Sequence, residues 1–247
     1  MAGVIKVSAK GLELQAKRYE RLHQKIIPAA TIDSLNWTAY DLRDQLKEEI
    51  EKVFDRPTRF TTNSVEVLKA TLNRPAATVR LKDYSSKAAP AAVWLAPQVY
   101  GGDRREKRSE KLLRDRGILP AGMYVAPGSG MKLDSMGNVG RGQMQKILSG
   151  LGAQSDVYQR STNSKRSIGN RRRFFVMTKG KTPLGIAERF GKQREQVRMV
   201  LAFIRKPSYS QRFDFYGIAD QYIDEHLPIN FDKALARRLG VGGRAAA

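Results

Sequence analysis

The chain has 247 residues, with 45 Lys and Arg against 24 Asp and Glu for a formal net charge of +21, so its expected partner is a polyanion or an acidic protein face. It contains no cysteine, which excludes disulfides, thiolate metal sites and cysteine nucleophiles, while 41% hydrophobic residues suffice for a packed core. No run of about eighteen apolar residues occurs and residues 1–10 lack the apolar stretch of a signal peptide, so neither a membrane span nor membrane contact is expected.

In chain order, Leu12, Ala16, Tyr19, Leu22 and Ile26 recur at helical spacing until Pro28 interrupts them, which predicts a first short helix. Ile32, Leu35, Ala39, Leu42, Leu46, Ile50 and Val53 then predict a long amphipathic helix over residues 29–54. Its Ile32, Leu35, Leu42, Leu46 stripe should pack on a sheet, and Arg56 and Pro57 end it. Val65 and Val67, then Ala77, Val79 and Leu81, alternate around a turn near Asn73 and predict a β-hairpin. Residues 84–97 read as a loop anchored by Val93, Trp94 and Leu95, residues 104–116 as a basic helix closed by Gly117, and residues 122–126 as a short strand.

Residues 127–142 carry many glycines and read as an irregular loop before a helix over 143–151. Residues 154–170, rich in Ser, Asn and Arg, read as a mobile basic loop. Residues 173–178 and 197–204 are the two strongest strand candidates, joined through a turn-rich connection. A C-terminal helix follows from Phe213, with Pro228 expected to kink or split it and a loose tail over 240–247. Helix, hairpin, irregular middle, strands and helix in that order predict one α+β domain over 1–247. Its long N-terminal amphipathic helix and C-terminal helix should pack on a small antiparallel sheet. The N-terminal helix region covers 10–55 and the irregular middle, with long basic loops, 84–170.

The positive charge is clustered. Arg104, Arg105 and Arg108 open one basic segment, and Arg160, Lys165, Arg166, Arg171, Arg172 and Arg173 belong to a stretch with no acidic residue between Val157 and Ala187. These nine residues are the candidate contacts for a polyanion. A flexible basic loop matches the charge of a phosphate backbone but lacks a rigid element to read base edges, so any DNA binding should be sequence-indifferent and steeply salt-dependent.

The catalytic inventory is poor. His23 and His226 stand in predicted helices without metal-ligand spacing, no phosphate-loop motif accompanies the glycines of 128–142, and no cofactor or metal site is expected. Asn36, Trp37 and Thr38 spell a glycosylation sequon, but inside a predicted helix it is a coincidence. Residues 183–201 offer an alternative, a helix-turn-helix with Ala187 at the small position, Gly191 at the turn and Gln193, Arg194 and Gln196 facing bases. A strand over 197–204 would remove it.

A family resemblance is carried by four segments. They are the long helix ending in Phe54, Asp55, Arg56, Pro57 and Thr58; the Gly117, Ile118, Leu119, Pro120 turn; Leu133, Asp134, Gly137 and Asn138 before Arg141, Gly142 and Gln143; and the strand 197–204 leading to Tyr209, Arg212, Phe213, Asp214, Phe215 and Tyr216. In these the chain resembles bacteriophage structural proteins of the minor tail protein Z or tail-completion (neck) type. The resemblance implies a non-enzymatic virion protein of the tail or neck that joins head to tail or completes the tail. It implies a homo-oligomeric ring, other tail and neck proteins as partners and non-specific contact with packaged DNA. It also implies residence in the virion after assembly in the host cytoplasm.

Overall fold

The structure is a computed structural model and describes residues 10–86, 89–154, 165–191 and 196–240. It mixes helix with small antiparallel sheets, and has the long helix near the N-terminus and the C-terminal helix that the periodicity predicts. In place of one domain over 1–247, the chain forms two compact units, Met1–Ala92 with Phe213–Ala247, and Val93–Arg212.

In the first unit, α1 (Lys10–Arg21), a π-helical turn (Leu22–Ile26) and α2 (Ile27–Val53) follow one another without a break. Pro28, expected to end a first helix, lies instead in the first turn of α2. The wider π turn absorbs its missing donor, because the bond there runs from the Ile27 N–H to the Leu22 carbonyl. Helix α3 (Arg59–Thr62) is capped by the Thr58 hydroxyl, which accepts from the Thr61 N–H at 3.3 Å. Strands β1 (Val65–Leu68) and β2 (Thr78–Leu81) form the expected hairpin. The Asn36 amide reads the end of that hairpin as a neighbouring strand would, accepting from the Ala70 N–H at 2.8 Å and donating to the Ala70 carbonyl at 3.1 Å.

Helix α9 (Phe215–Leu239) packs along α2. Arg238 donates to Asp33 at 2.6 and 2.8 Å, and the Asn230 amide donates to the buried Thr38 hydroxyl at 3.0 Å, so the two helices run antiparallel. Ala30, Ser34 and Thr38 of α2, with Asn230 and Ala234 of α9, are buried, and these small side chains let the helices approach closely. Leu42, Leu46 and Ile50 complete the buried face where α2 also meets the hairpin. The sheet containing 197–204, on which the stripe is expected to pack, belongs instead to the second unit, and Ile32 and Leu35 are only half-buried.

Phe213 is wholly buried between Phe54 and Phe215, with ring centroids at 6.3 and 5.8 Å, and Asp214 caps α9 by accepting from the Gly217 N–H at 3.1 Å. Pro228 neither splits nor ends α9. It lies on the exposed face, and Asp224, whose carbonyl it leaves without a donor, is exposed as well. Residues 241–247 of the expected tail lie outside the described residues.

The segment expected as a loop over 84–97 contains two helical turns, α4 (Ala91–Trp94) and α5 (Ala96–Val99), on either side of a buried Leu95. In the second unit β3 (Gly102–Asp103) pairs with β8 (Ser208–Tyr209), residues 104–107 are not helical, and α6 spans Arg108–Asp115 rather than 104–116, with Lys107 extended just before it. Strand β4 (Met123–Pro127) and helix α7 (Arg141–Gly150) fall where the sequence places them. Residues 165–170, expected as part of a loop, are helical in α8 (Lys165–Arg173); residues 155–164 of that expectation lie outside the described residues. Gly150 makes the α7–α8 contact possible, since a Cβ there would stand 2.8 Å from the Asn170 carbonyl oxygen.

Strands β5 (Phe174–Lys179), β6 (Thr182–Phe190) and β7 (Gln196–Arg205) form an antiparallel meander, and β4 completes a four-stranded sheet in the order β4-β7-β6-β5. Leu113, Leu119, Ile147 and Leu148 pack with Phe174, Ile186, Val200 and Leu201 in one core. A register shift between Ile186 and Ala187 rotates β6 against β7, so consecutive residues of both strands are buried. Gly185 permits that approach, because a Cβ there would lie 2.3 Å from the Leu201 carbonyl oxygen. Residues 182–190 and 196–205 are therefore extended, which leaves no helix for a helix-turn-helix among the described residues of 183–201. Its proposed base readers Gln193 and Arg194 lie outside the described residues.

Candidate anion-binding face and arginine clamps

The nine candidate polyanion contacts separate into different environments. Arg160 and the Arg166 side chain lie outside the described residues. Arg105 and Arg108 are exposed beside and at the start of α6, and Lys165, Arg171 and Arg172 are exposed on α8. The arginines of the last turn of α8 also complement the negative end of its dipole. Arg104 and Arg173 are each engaged by a buried carboxylate of the chain.

Arg104 clamps Glu110, whose side chain is fully buried. Its Nη1 donates to Oε2 at 2.8 Å and its Nη2 to Oε1, while the Lys107 N–H donates to Oε2 at 2.7 Å and the Val125 N–H to Oε1 at 2.9 Å. One carboxylate thereby ties the start of α6 to the middle of β4. Burial pushes the Glu110 carboxyl up, but the bonds from Arg104, Val125 and Lys107 outweigh it and hold it below the usual glutamate range. The Arg104 guanidinium also lies 4.8 Å from the centre of the Tyr124 ring.

A second buried carboxylate, Glu188 in β6, is 1% exposed and is clamped from both sides. Arg173, at the α8–β5 junction, holds Oε1, and Arg198, its cross-strand neighbour on β7, donates to Oε2 at 2.8 Å. Both guanidiniums keep 40% or more of their side-chain surface, so this clamp is wet where the Glu110 clamp is dry. Arg189 stacks 3.9 Å from the centre of Phe175 and Arg198 lies 4.8 Å from that of Phe190, which covers the aromatic residues at this end of the sheet with guanidinium groups.

Unit two also contains an open cavity of about 720 Å³. Lys107 and Arg108 at the start of α6, Arg141 on α7, and Asn138, Gln145 and Gln154 give it cationic and amide groups. Leu112, Val125, Val139, Leu148 and Leu201 floor it, and no carboxylate lines it. Of the expected contacts among the described residues, Arg108 reaches this cavity, with Lys107 of the same basic run beside it; charge density does not single out Arg141, which stands alone between Gly140 and Gly142. The buried acids do leave a trace. Glu110 stands three residues after the residue that opens α6, the capping-box spacing, and Glu188 is the first acid after the long acid-free stretch.

His226 stacks in parallel on Tyr222 with ring centroids 3.9 Å apart and its Nδ1 is 3.1 Å from the Tyr222 carbonyl, while His23 is exposed. Among the described residues no three His, Asp or Glu side chains gather as a metal site, and no helix is long and apolar enough to cross a membrane. The chain matches no protein-family model, no curated protein and no solved structure.

Proposed function

We propose that this chain is a non-enzymatic structural protein of a bacteriophage tail or neck, which joins head to tail or completes the tail as one copy in a homo-oligomeric ring. The observation that carries the reading is α1, where every described side chain from residue 12 to 21 is exposed. α1 continues α2 through the π-helical turn, so it extends a packed helix by 12 residues, with no packed face of its own among the described side chains. Leu12 and Leu14 remain 69% and 66% exposed.

The occupant that fits is a second copy. At the base of α1 a notch of about 440 Å³ is bordered by Tyr19, Leu22, Ile26 and Leu239, with Arg18 and Arg238 at its edge. Apolar knobs stand near one end of α1 and an apolar notch at the other. A contact of knob into notch is therefore head-to-tail, the geometry that closes into a ring when the rotation is right. Glu13 and Glu20 alternate with Lys17, Arg18 and Arg21, so the arm is self-complementary in charge as well. The exposed arginines of the second unit supply the contact with acidic neighbours or with packaged DNA.

Negative-stain electron microscopy of the purified protein at high concentration tests the reading. Closed rings of uniform diameter are expected; monomers, or open filaments of indefinite length, contradict it. Mass spectrometry of purified phage particles supplies the second arm, in which the protein is expected among the tail or neck components.

A further inference from the structure

Five cations of the second unit, Arg104, Arg114, Arg173, Arg198 and Lys206, are matched to carboxylates. Glu110 holds Arg104, Glu106 holds Arg114, Asp103 holds Lys206, and Glu188 holds both Arg173 and Arg198. The cavity between the starts of α6 and α7 breaks that pattern, because Lys107, Arg108 and Arg141 meet at its rim with no carboxylate among the lining residues. Neither Arg108 nor Arg141 has an ion-pair partner among the described residues. Lys107 is exposed at the rim, and desolvation, with the Arg104 charge next, lowers its pKa below the ordinary lysine value. Uncompensated positive charge in a concave site costs stability until an anion enters.

Two further features define the anion. Both helices begin at the cavity, so the positive ends of their dipoles add to the field of the side chains. About 720 Å³ is also far more than a lone oxyanion fills and lies in the range of sites for small organic ligands. Leu112 and Leu148 on the floor match an apolar or heterocyclic body, and Asn138 on the rim can accept from or donate to it.

We propose that this cavity binds a small phosphate ester of nucleotide size, with the phosphate against Arg108 and Arg141 and the organic portion on the apolar floor. The site stands independently of ring assembly, and its test uses binding rather than oligomeric state.

Isothermal titration calorimetry of the full-length protein with adenosine monophosphate, adenosine, inorganic phosphate and a single-stranded oligothymidylate decides it. Saturable binding of the monophosphate at one site is expected, with adenosine silent and inorganic phosphate weaker. R108A and R141A should each weaken binding roughly ten-fold or more, the loss of one charge-assisted bond, with no loss of melting temperature. R171A/R172A, on α8, should leave it unchanged. No binding of the monophosphate overturns the site, as does an equal loss in R171A/R172A, which would reduce it to diffuse charge. Inorganic phosphate binding as tightly as the monophosphate overturns the role of the floor. Oligothymidylate binding through Arg108 and Arg141 without the monophosphate overturns the small ester in favour of a polymer backbone.

Discussion

Arg104 grips Glu110 through both terminal guanidinium nitrogens, and the carboxylate it holds is fully buried and also accepts from two backbone N–H groups. An arginine that charge alone assigns to a polyanion is thereby a fastening between α6 and β4. Removing it leaves a buried carboxylate with only the Lys107 and Val125 amides, so R104A should destabilise the second unit by about 3–5 kcal/mol, measured by urea denaturation. A destabilisation of less than about 0.5 kcal/mol, the level of a surface change, would mean that the pair is not buried in solution.

The same clamp sets an acid sensitivity. The Glu110 pKa is depressed in the folded protein, so its contribution is fully present above the unfolded value of about 4.3 and disappears as pH falls through the lower folded value. E110Q carries no such titration. The stability difference between wild type and E110Q should therefore be constant at neutral pH and shrink as pH falls below about 4.3. A difference that grows on acidification would contradict the sign of the shift.

The Glu188 clamp predicts non-additivity. Either R173A or R198A leaves one guanidinium on the carboxylate, and because both arginines are partly solvated each should cost only about 1–2 kcal/mol. The double variant strips Glu188 bare, and should cost more than the two single effects together by about 0.5–3 kcal/mol in a double-mutant cycle. Strict additivity would show that the two arginines do not share the acid.

For DNA, the engaged arginines alter the expected arithmetic. Arg173 is held by Glu188 while Arg171 and Arg172 are exposed, so R171A/R172A should flatten the log–log salt dependence of duplex binding by about 2, one for each phosphate left without its arginine. Affinity should fall alike for every duplex sequence. A preferred sequence that loses its preference in the variant would contradict backbone binding.

Hydrophobic period and turn chemistry carry much of the fold. The hairpin at 65–81, helix α7 and strands β5 and β7 lie in segments where period and propensity agree. What escapes is set by packing that leaves no hydrophobic signal. The buried face of the first half of α2 is built on Ala30, Ser34 and Thr38, so the visible stripe of Ile32 and Leu35 points to the wrong seam. Strand β6 reads in the sequence as a turn-rich connection because Pro183 and Gly185 lower its strand propensity, yet Gly185 is what admits the neighbouring strand. Pro28 and Pro228 look like breaks; a π turn and a solvated helix face accommodate them. Of the candidate site, the basic character is legible and the division of labour among the arginines is not. That division depends on which arginines the fold brings to Glu110 and Glu188, and a run of like charges carries no mark of it.

Analytical ultracentrifugation of wild type against L12S/L14S tests assembly through α1 most directly. Both side chains are exposed, so the variant should keep the wild-type melting temperature within a few degrees. Wild type is expected to sediment as a discrete, concentration-dependent oligomer and the variant as a monomer. A wild-type protein that stays monomeric at every concentration, or a variant that assembles as wild type does, contradicts it.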